Sequence, residues 1–198
     1  TLQIPKQGIG EWCHPLHTVD INDAGLRSSV QNGILNTELG IPFRTPAEGH
    51  NVAFTSLWDN YPDSLEIPLK GKASRAYLLM AGSTNHMQCH IDNGVIRIYY
   101  KDGTRDVMFL RNPDNWPPIE HIFFEDGLAF NRHTPALYRL RLKTGEISNN
   151  FGEELGFPGA SRELDGGAAV LLEMPLNPGK KLSHLVLETP VSYTHLTL

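Results

Sequence analysis

The segment 94–110, with the sequence GVIRIYYKDGTRDVMFL, constrains the fold of this chain more than any other stretch. It contains two runs of strand-forming residues separated by Asp102 and Gly103. A two-residue type I′ turn needs positive φ at both central positions, and Asp-Gly tolerates this well, so the segment predicts a β-hairpin. The predicted register pairs Lys101 with Thr104, Ile98 with Val107 and Ile96 with Phe109. Because side chains alternate along a strand, the predicted buried face consists of Ile96, Ile98, Tyr100, Val107 and Phe109.

Further strands are predicted from apolar or alternating runs along the chain. These runs are 51–58, 64–69, 75–83, 136–145, 168–176 and 182–189. Segment 75–83 is apolar at both parities, as expected of a strand that is covered on both faces. In segment 136–145 the alternation places Tyr138, Leu140 and Leu142 inward, and Arg139 and Arg141 outward.

No long segment has a sustained helical periodicity. The strands therefore predict an all-β fold, specifically an antiparallel jelly-roll β-sandwich over residues 51–189. Residues 1–50 are rich in turn formers, such as QNGIL and PFRTPAEGHN, and predict a loop-rich extension or linker packed on the sandwich. Residues 190–198 are expected to be an artefactual tail, because VSYTHLTL looks like the translation of a sequencing-library adapter; an ordinary terminal strand is the alternative.

The composition argues against several classes of function. The 198 residues carry a net charge of −5 without a basic stripe, which disfavours nucleic-acid binding. The chain has no apolar run long enough to span a membrane and no predicted signal peptide, and since it does not begin with Met we interpret it as an internal fragment. The two cysteines, Cys13 and Cys89, could form at most one disulfide. Motifs of serine hydrolases, P-loops, dinucleotide-binding folds and zinc proteases do not occur.

Two segments combine aromatic and polar residues as sugar-binding loops do, with a ring for the C–H face of the sugar and planar polar groups for its hydroxyls. Segment 56–63 offers Trp58, Asp59, Asn60 and Tyr61, and segment 112–126 offers Asn115, Trp116, Glu120 and His121. The structural alternative for the first segment is a pair of rings closing the end of the sandwich and an Asx turn before Pro62. A glycosidase pair formed by Glu120 with Asp59 or Asp126 is a further alternative, although acidic loop residues are usually only solvated.

The sequence predicts no metal ligands and no cofactor. The stretch HMQCH holds His86, Cys89 and His90, but in an extended or looped segment these side chains need not converge on one ion. Calcium is left open, because the stretch NHMQCHIDNG, residues 85–94, has suitable oxygen atoms without a fixed ligand pattern.

A family resemblance rests on three stretches: GIPFRTPAEGHNVAFTSLWDNYP, IPLKGKASRAYLLMAGSTNHMQCHIDNGVIRIYYKDGT and LRNPDNWPPIEH. They resemble part of the large, functionally uncharacterised proteins of Bacteroidetes polysaccharide-degrading systems. Those proteins are similar to glycoside hydrolases with a six-hairpin helical barrel and attached β-sandwiches. The second stretch is also similar to galactose-binding-like jelly-roll domains. The resemblance implies a periplasmic or secreted parent protein whose catalytic barrel lies outside these residues, and it transfers no catalytic residue.

Together these observations favour an accessory domain of a larger carbohydrate-active enzyme. The domain is expected to bind carbohydrate or to shape the catalytic cleft, and to be non-catalytic by itself. Its expected partners are a carbohydrate and the neighbouring catalytic domain of the same full-length chain. A purely structural interdomain sandwich and a glycoside hydrolase fragment with its own active site are the alternatives.

Overall fold

The computed structural model describes residues 21–56, 62–82, 90–120, 122, 133–150, 164–188 and 195–197. The regular secondary structure of the described residues consists of β-strands and one short helix, α1 (Ala24–Ser28). The strands are β1 (Val30–Gln31), β2 (Ile34–Asn36), β3 (Pro42–Arg44), β4 (Phe54–Ser56), β5 (Ser64–Pro68), β6 (Arg75–Met80), β7 (Asp92–Tyr100), β8 (Arg105–Arg111), β9 (Arg139–Arg141), β10 (Ile147–Ser148), β11 (Ala168–Pro175), β12 (Leu182–Glu188) and β13 (His195–Thr197). No described helix is long and apolar enough to cross a membrane.

The strands form antiparallel sheets, which confirms the all-β prediction. One four-stranded sheet has the order β10-β9-β11-β6, and a second has the order β5-β12-β7-β8. A three-stranded sheet joins β1, β2 and β3, and a two-stranded sheet joins β13 to β4. The sheets are open and do not close into a barrel. The jelly-roll connectivity within this all-β architecture stays a prediction.

The two four-stranded sheets contribute to one apolar cluster, which we call the first core. Its members are Leu78, Met80, Ile96, Ile98, Tyr100, Leu110, Trp116, Val170, Leu172, Met174, Leu176, Leu182, Leu185 and Leu187. They come from β6 and β11 of one sheet and from β7, β8 and β12 of the other, together with residues that adjoin these strands. Burial of this apolar surface is the main favourable contribution to the stability of the sheet pair.

A second core lies on the opposite face of β6 and β11. Its buried members are Ile21, Leu26, Leu35, Ala81, Ile119, Leu140, Leu142 and Ala169. Residues of β11 therefore alternate between the two cores, with Val170 in the first and Ala169 in the second. In segment 75–83, Met80 belongs to the first core and Ala81 to the second. The prediction that this segment is covered on both faces is confirmed for residues 78–82, but it is wrong for Arg75 and Tyr77, which are exposed.

Helix α1 is held very close to the turn that follows β9. The Leu26 N–H donates to the Leu142 carbonyl oxygen at 2.9 Å. A Cβ atom added at Gly25 would lie 2.4 Å from the Lys143 carbonyl oxygen, so only glycine permits this approach. The contact places α1 over the second core, where Asp23 and Leu26 can line a common space with β6.

The β7–β8 hairpin forms, but its register differs by one residue from the predicted one. Ile96 pairs with Met108 and Val95 with Phe109. The turn is a three-residue loop, in which the Tyr100 N–H donates to the Thr104 carbonyl oxygen and Gly103 has a φ of +83°. As a result, Val107 and Phe109, predicted to be buried, are 40% and 44% exposed. Met108 and Leu110 face the first core instead.

The predicted orientation of strand β9 is also partly wrong. Leu140 and Leu142 are buried as predicted, whereas Tyr138 is exposed and Arg139 is buried. The Arg139 guanidinium donates to the carbonyl oxygens of Pro118 and Ala168 at 2.7 and 3.2 Å. These carbonyl groups give a buried guanidinium the hydrogen bonds that burial requires.

Candidate functional site

Five of the eight residues predicted to bind sugar lie outside the described part of the chain. They are Trp58, Asp59, Asn60, Tyr61 and His121. The same holds for His86 and Cys89 of the HMQCH stretch and for Asp126. Their proposed roles in sugar binding therefore stay predictions.

Two of the three remaining candidates shape the turn that follows β8. The Asn115 side chain accepts a hydrogen bond from the Arg111 N–H at 2.7 Å and donates one to the Phe109 carbonyl oxygen at 2.9 Å. Trp116 is fully buried and belongs to the first core. Its ring offers no exposed face on which a sugar could stack, so we leave it out of the ligand contacts proposed below.

Glu120, the third candidate, is 2% exposed and lies near the buried Arg139. Burial lowers the pKa of Arg139 to about 9, while the Glu120 carboxylate raises it, so the guanidinium keeps its proton at neutral pH. The Glu120 carbonyl oxygen also accepts from the Leu164 N–H at 2.7 Å. These contacts link the 111–120 loop to β9 and to residue 164. Because the Glu120 side chain is buried, its carboxylate is not accessible to a substrate from solvent.

A cluster of His90, Asp114 and His133 lies where three segments meet. His90 comes just before β7, Asp114 lies in the loop after β8, and His133 precedes β9. His90 Nδ1 is 2.9 Å from Asp114 Oδ2, and His133 Nδ1 is 3.8 Å from Asp114 Oδ1. One potential ligand atom from each residue lies within 4.8 Å of the others. Two imidazoles and a carboxylate in this arrangement are a possible metal-binding group.

The hydrogen bonds around Asp114 hold its carboxylate in place beside the two rings. The His133 N–H donates to Asp114 Oδ1 at 2.8 Å, and the Thr134 hydroxyl donates to the Asp114 carbonyl oxygen at 2.6 Å. Burial would raise the pKa of Asp114, but the hydrogen bonds from His133 and His90 outweigh it, so the pKa lies below its ordinary value. Asp114 is therefore a buried carboxylate that is ionised at neutral pH.

Sequence reasoning found one of these three residues. His90 is a candidate ligand in HMQCH. Segment 112–126 is predicted to be a binding loop, but through Asn115, Trp116, Glu120 and His121 and not through Asp114. His133 was missed altogether, since it is 19 residues beyond Asp114 and no local spacing connects the two. The sequence shows only that histidine and aspartate residues, which can bind metals, occur in separate loops. Without the fold, this does not indicate that they come together.

A second candidate site is a cavity of about 230 Å³ between α1, β3 and the β6–β11 pair. Its walls are mainly apolar and include Leu26, Phe43, Leu79, Leu142 and Ala169. The polar residues that line it are Asp23, Arg44, Thr45, Asn51 and Tyr77. A concave, mostly apolar space with a few convergent polar groups is the usual form of a small-molecule site.

Arg27 organises one side of this cavity. Its Nε donates to Asp23 Oδ2 at 2.8 Å, and its Nη2 donates to Asn51 Oδ1 at 2.8 Å. Its Nη1 donates to the carbonyl oxygens of Ala47 and Gly49 at 3.2 and 3.0 Å. One guanidinium thus links α1 to the 47–51 loop and holds the Asp23 and Asn51 side chains in position.

Arg44 and Tyr77 complete the polar edge of the cavity. Both are exposed, Tyr77 to 38%, although both also line the cavity. Among the described residues, no hydrogen bond or ion pair occupies the Arg44 guanidinium. These two side chains are therefore available to a ligand that enters the cavity.

Comparison with protein-family models, with curated proteins and with solved structures gives no match for this chain.

Proposed function

We propose that this chain is an accessory, carbohydrate-binding β-domain of a larger carbohydrate-active enzyme, with a jelly-roll, galactose-binding-like topology. In this proposal the sugar enters the cavity between α1, β3 and β6, and the chemistry resides in a neighbouring catalytic domain. The parent protein is proposed to be periplasmic or secreted, as the family resemblance implies. The observation that carries the proposal is the combination of groups around the cavity, where an aromatic ring, a carboxylate, an amide and a guanidinium line one space.

The chemistry of a sugar matches this combination. Tyr77 and Phe43 supply aromatic rings against which the C–H face of a pyranose can pack. Asp23, Asn51 and Arg44 supply planar donors and acceptors for the hydroxyl groups. Because Arg27 already orders Asp23 and Asn51, binding would cost less side-chain entropy at these positions than at free surface residues.

Titration of the chain without residues 190–198 against plant and host glycans tests the proposal by calorimetry. We expect Arg44→Ala and Tyr77→Ala to weaken binding of the best glycan by about tenfold each, which corresponds to the loss of one good polar or aromatic contact. Both residues are exposed at the surface, so these variants should remain folded.

Matched controls are available elsewhere on the surface. Tyr138 is exposed to the same 38% as Tyr77 and does not line the cavity, and Arg105 is exposed as Arg44 is. Tyr138→Ala and Arg105→Ala should bind glycans as the parent chain does. Equal losses of glycan affinity in the cavity variants and in the control variants would reject the cavity as a sugar site. The absence of saturable glycan binding would reject it as well.

A structural role between domains is the second candidate, because one sheet exposes apolar side chains. Val107 and Phe109 of β8 are 40% and 44% exposed on the outer face of the sheet β5-β12-β7-β8. On the same face, the rings of Tyr99 and His184 stack at 4.6 Å. Such a face is what a contact with a neighbouring domain would cover.

This alternative predicts self-association of the isolated chain through the outer face. Sedimentation should show concentration-dependent oligomers that the double substitution Val107→Thr and Phe109→Ser removes without changing glycan binding. A chain that is monomeric at high concentration before and after the substitution would count against the interdomain role.

The third possibility, a self-contained glycosidase, gains no support from Glu120, which is buried near Arg139.

A further inference from the structure

We propose that His90, Asp114 and His133 bind one divalent transition-metal ion of the zinc class. The three residues supply two imidazole nitrogens and a carboxylate oxygen, one from each of three chain segments. The site is separate from the sugar-binding cavity, whose lining residues include none of the three. The inference does not depend on the proposed carbohydrate binding.

The distances are close to those that a bound ion requires. Zinc–nitrogen bonds of about 2.0–2.1 Å in tetrahedral geometry place neighbouring ligand atoms about 3.3 Å apart. The separations from Asp114 are 2.9 Å between Oδ2 and His90 Nδ1 and 3.8 Å between Oδ1 and His133 Nδ1, so each carboxylate oxygen lies near this distance from one imidazole nitrogen. The first of these contacts is a hydrogen bond that an ion would replace. Because the two imidazoles are stacked and nearly parallel, the exposed His133 ring would turn out of the stack for both rings to direct a nitrogen at one ion.

Backbone hydrogen bonds hold the three residues next to one another before any ion arrives. The His90 N–H donates to the Asn112 carbonyl oxygen at 2.9 Å, and the His133 N–H donates to the Asp114 carboxylate. His90 has a φ of +57°, a backbone conformation that L-residues rarely adopt and that is concentrated at functional sites. The imidazole rings of His90 and His133 stack at 4.1 Å with an angle of 11° between their planes.

The ligand types select the metal. Imidazole nitrogens suit zinc, nickel, copper and iron, whereas calcium prefers six to eight oxygen ligands. The group therefore differs from the calcium site considered for residues 85–94. Three protein ligands leave a further coordination position, and the 71% exposure of the His133 side chain keeps that position accessible to water or to an external ligand.

Metal binding at this place would join the segments that precede β7, follow β8 and precede β9. An ion that binds the folded chain and not the unfolded chain raises the melting temperature by mass action. The proposal therefore predicts a thermal shift in zinc as well as a binding isotherm.

The test is a titration of the tag-free chain with zinc, followed by calorimetry and by thermal unfolding, with calcium in parallel. We expect one ion per chain and a higher melting temperature in zinc but not in calcium. His133→Ala should weaken zinc binding by more than about tenfold without loss of folding, because the side chain is largely exposed. Asp114→Asn, which keeps the size of the side chain, should also weaken zinc binding.

His50→Ala is the matched control, since His50 is an exposed histidine outside the cluster, and it should bind zinc as the parent chain does. Cobalt substituted for zinc should give a spectrum without a thiolate charge-transfer band, because the proposed set contains no cysteine. Unchanged zinc affinity in His133→Ala, a thiolate band, equal shifts in zinc and calcium, or no saturable binding would each overturn the proposal.

Discussion

Two hairpins of this molecule carry the same kind of turn signal and close with different loops. Between β1 and β2 the central residues are Asn32 and Gly33, with φ values of +52° and +75°, and Gln31 pairs with Ile34 across a two-residue turn. Between β7 and β8 the signal is Asp102-Gly103, but only Gly103 has a positive φ and the loop has three residues. The same pattern therefore specifies a hairpin without specifying its register.

The difference arises from what each turn contacts. The Lys101 N–H donates to the Lys181 carbonyl oxygen at 2.8 Å and so extends the contact of β7 with β12 instead of closing a two-residue turn with Thr104. The Asp102 carboxylate accepts from the Thr104 N–H and lies 3.0 Å from Lys180 Nζ. The Asn32-Gly33 turn also has an outside contact, because the Gly33 carbonyl oxygen accepts from the Thr45 N–H at 3.0 Å. The β7–β8 loop differs in that one of its own side chains, Asp102, joins it to the neighbouring turn through Lys180.

The largest expected effect tests the register of β7–β8 directly. Leu110 is fully buried in the first core, while Phe109 is 44% exposed. Leu110→Ala should lower the free energy of unfolding by about 3–4 kcal/mol, and Phe109→Ala by less than about 1 kcal/mol. Denaturant unfolding of both variants measures the difference. A larger loss of stability in Phe109→Ala than in Leu110→Ala would show that Phe109 is the buried residue and would support the register predicted from the sequence.

A smaller effect is expected at the glycine that closes the three-residue loop. Gly103 has a φ of +83° and open space around its Cα, so Gly103→Ala should cost about 1–2 kcal/mol from backbone strain alone. Gly103→Asn serves as the control, because Asn tolerates this conformation and should recover part of the loss. Equal stabilities of all three proteins in urea unfolding would show that position 103 does not need a left-handed conformation.

The smallest expected effect is a pH dependence of stability that one turn has and the other lacks. Hydrogen bonds from Thr104 and Lys180 lower the pKa of Asp102 to about 2, below its value in the unfolded chain. The stability that Asp102 contributes should therefore be present above about pH 4 and be lost as the pH falls towards 2. Asp102→Gly should destabilise the chain at neutral pH and much less at pH 2, whereas the effect of Asn32→Gly should not depend on pH. Parallel pH dependences for the two variants would contradict this assignment.

Much of the strand pattern could be predicted because it depends on local alternation. Strands β5, β6, β11 and β12 lie within their predicted segments, and the prediction of β-structure without long helices holds for the described residues. Arg139 was assigned to the wrong face because an alternation rule treats every arginine as exposed. Its burial depends on the carbonyl groups of Pro118 and Ala168, which only the folded chain brings to it.

The candidate sites were less predictable than the fold. His90 and Asp114 are 24 residues apart, and the cavity combines α1, β3, β6 and β11. Such groupings follow from long-range packing and leave no spacing in the sequence to recognise. The aromatic and polar composition of segment 112–126 points to a sugar-binding loop, but Trp116 is a core residue, and Asp114 is the residue that lies near the two histidines.

By itself the sequence determined that the described chain would be built from antiparallel strands and that a hairpin would turn near Gly103, because pleat alternation and backbone sterics act over a few residues. Only the tertiary structure decided which residues of β8 face the first core, where Arg139 lies, and that His90 meets Asp114 and His133. These outcomes depend on hydrogen bonds and contacts between distant segments, whose free energies exceed the small local preferences of the turns and strands.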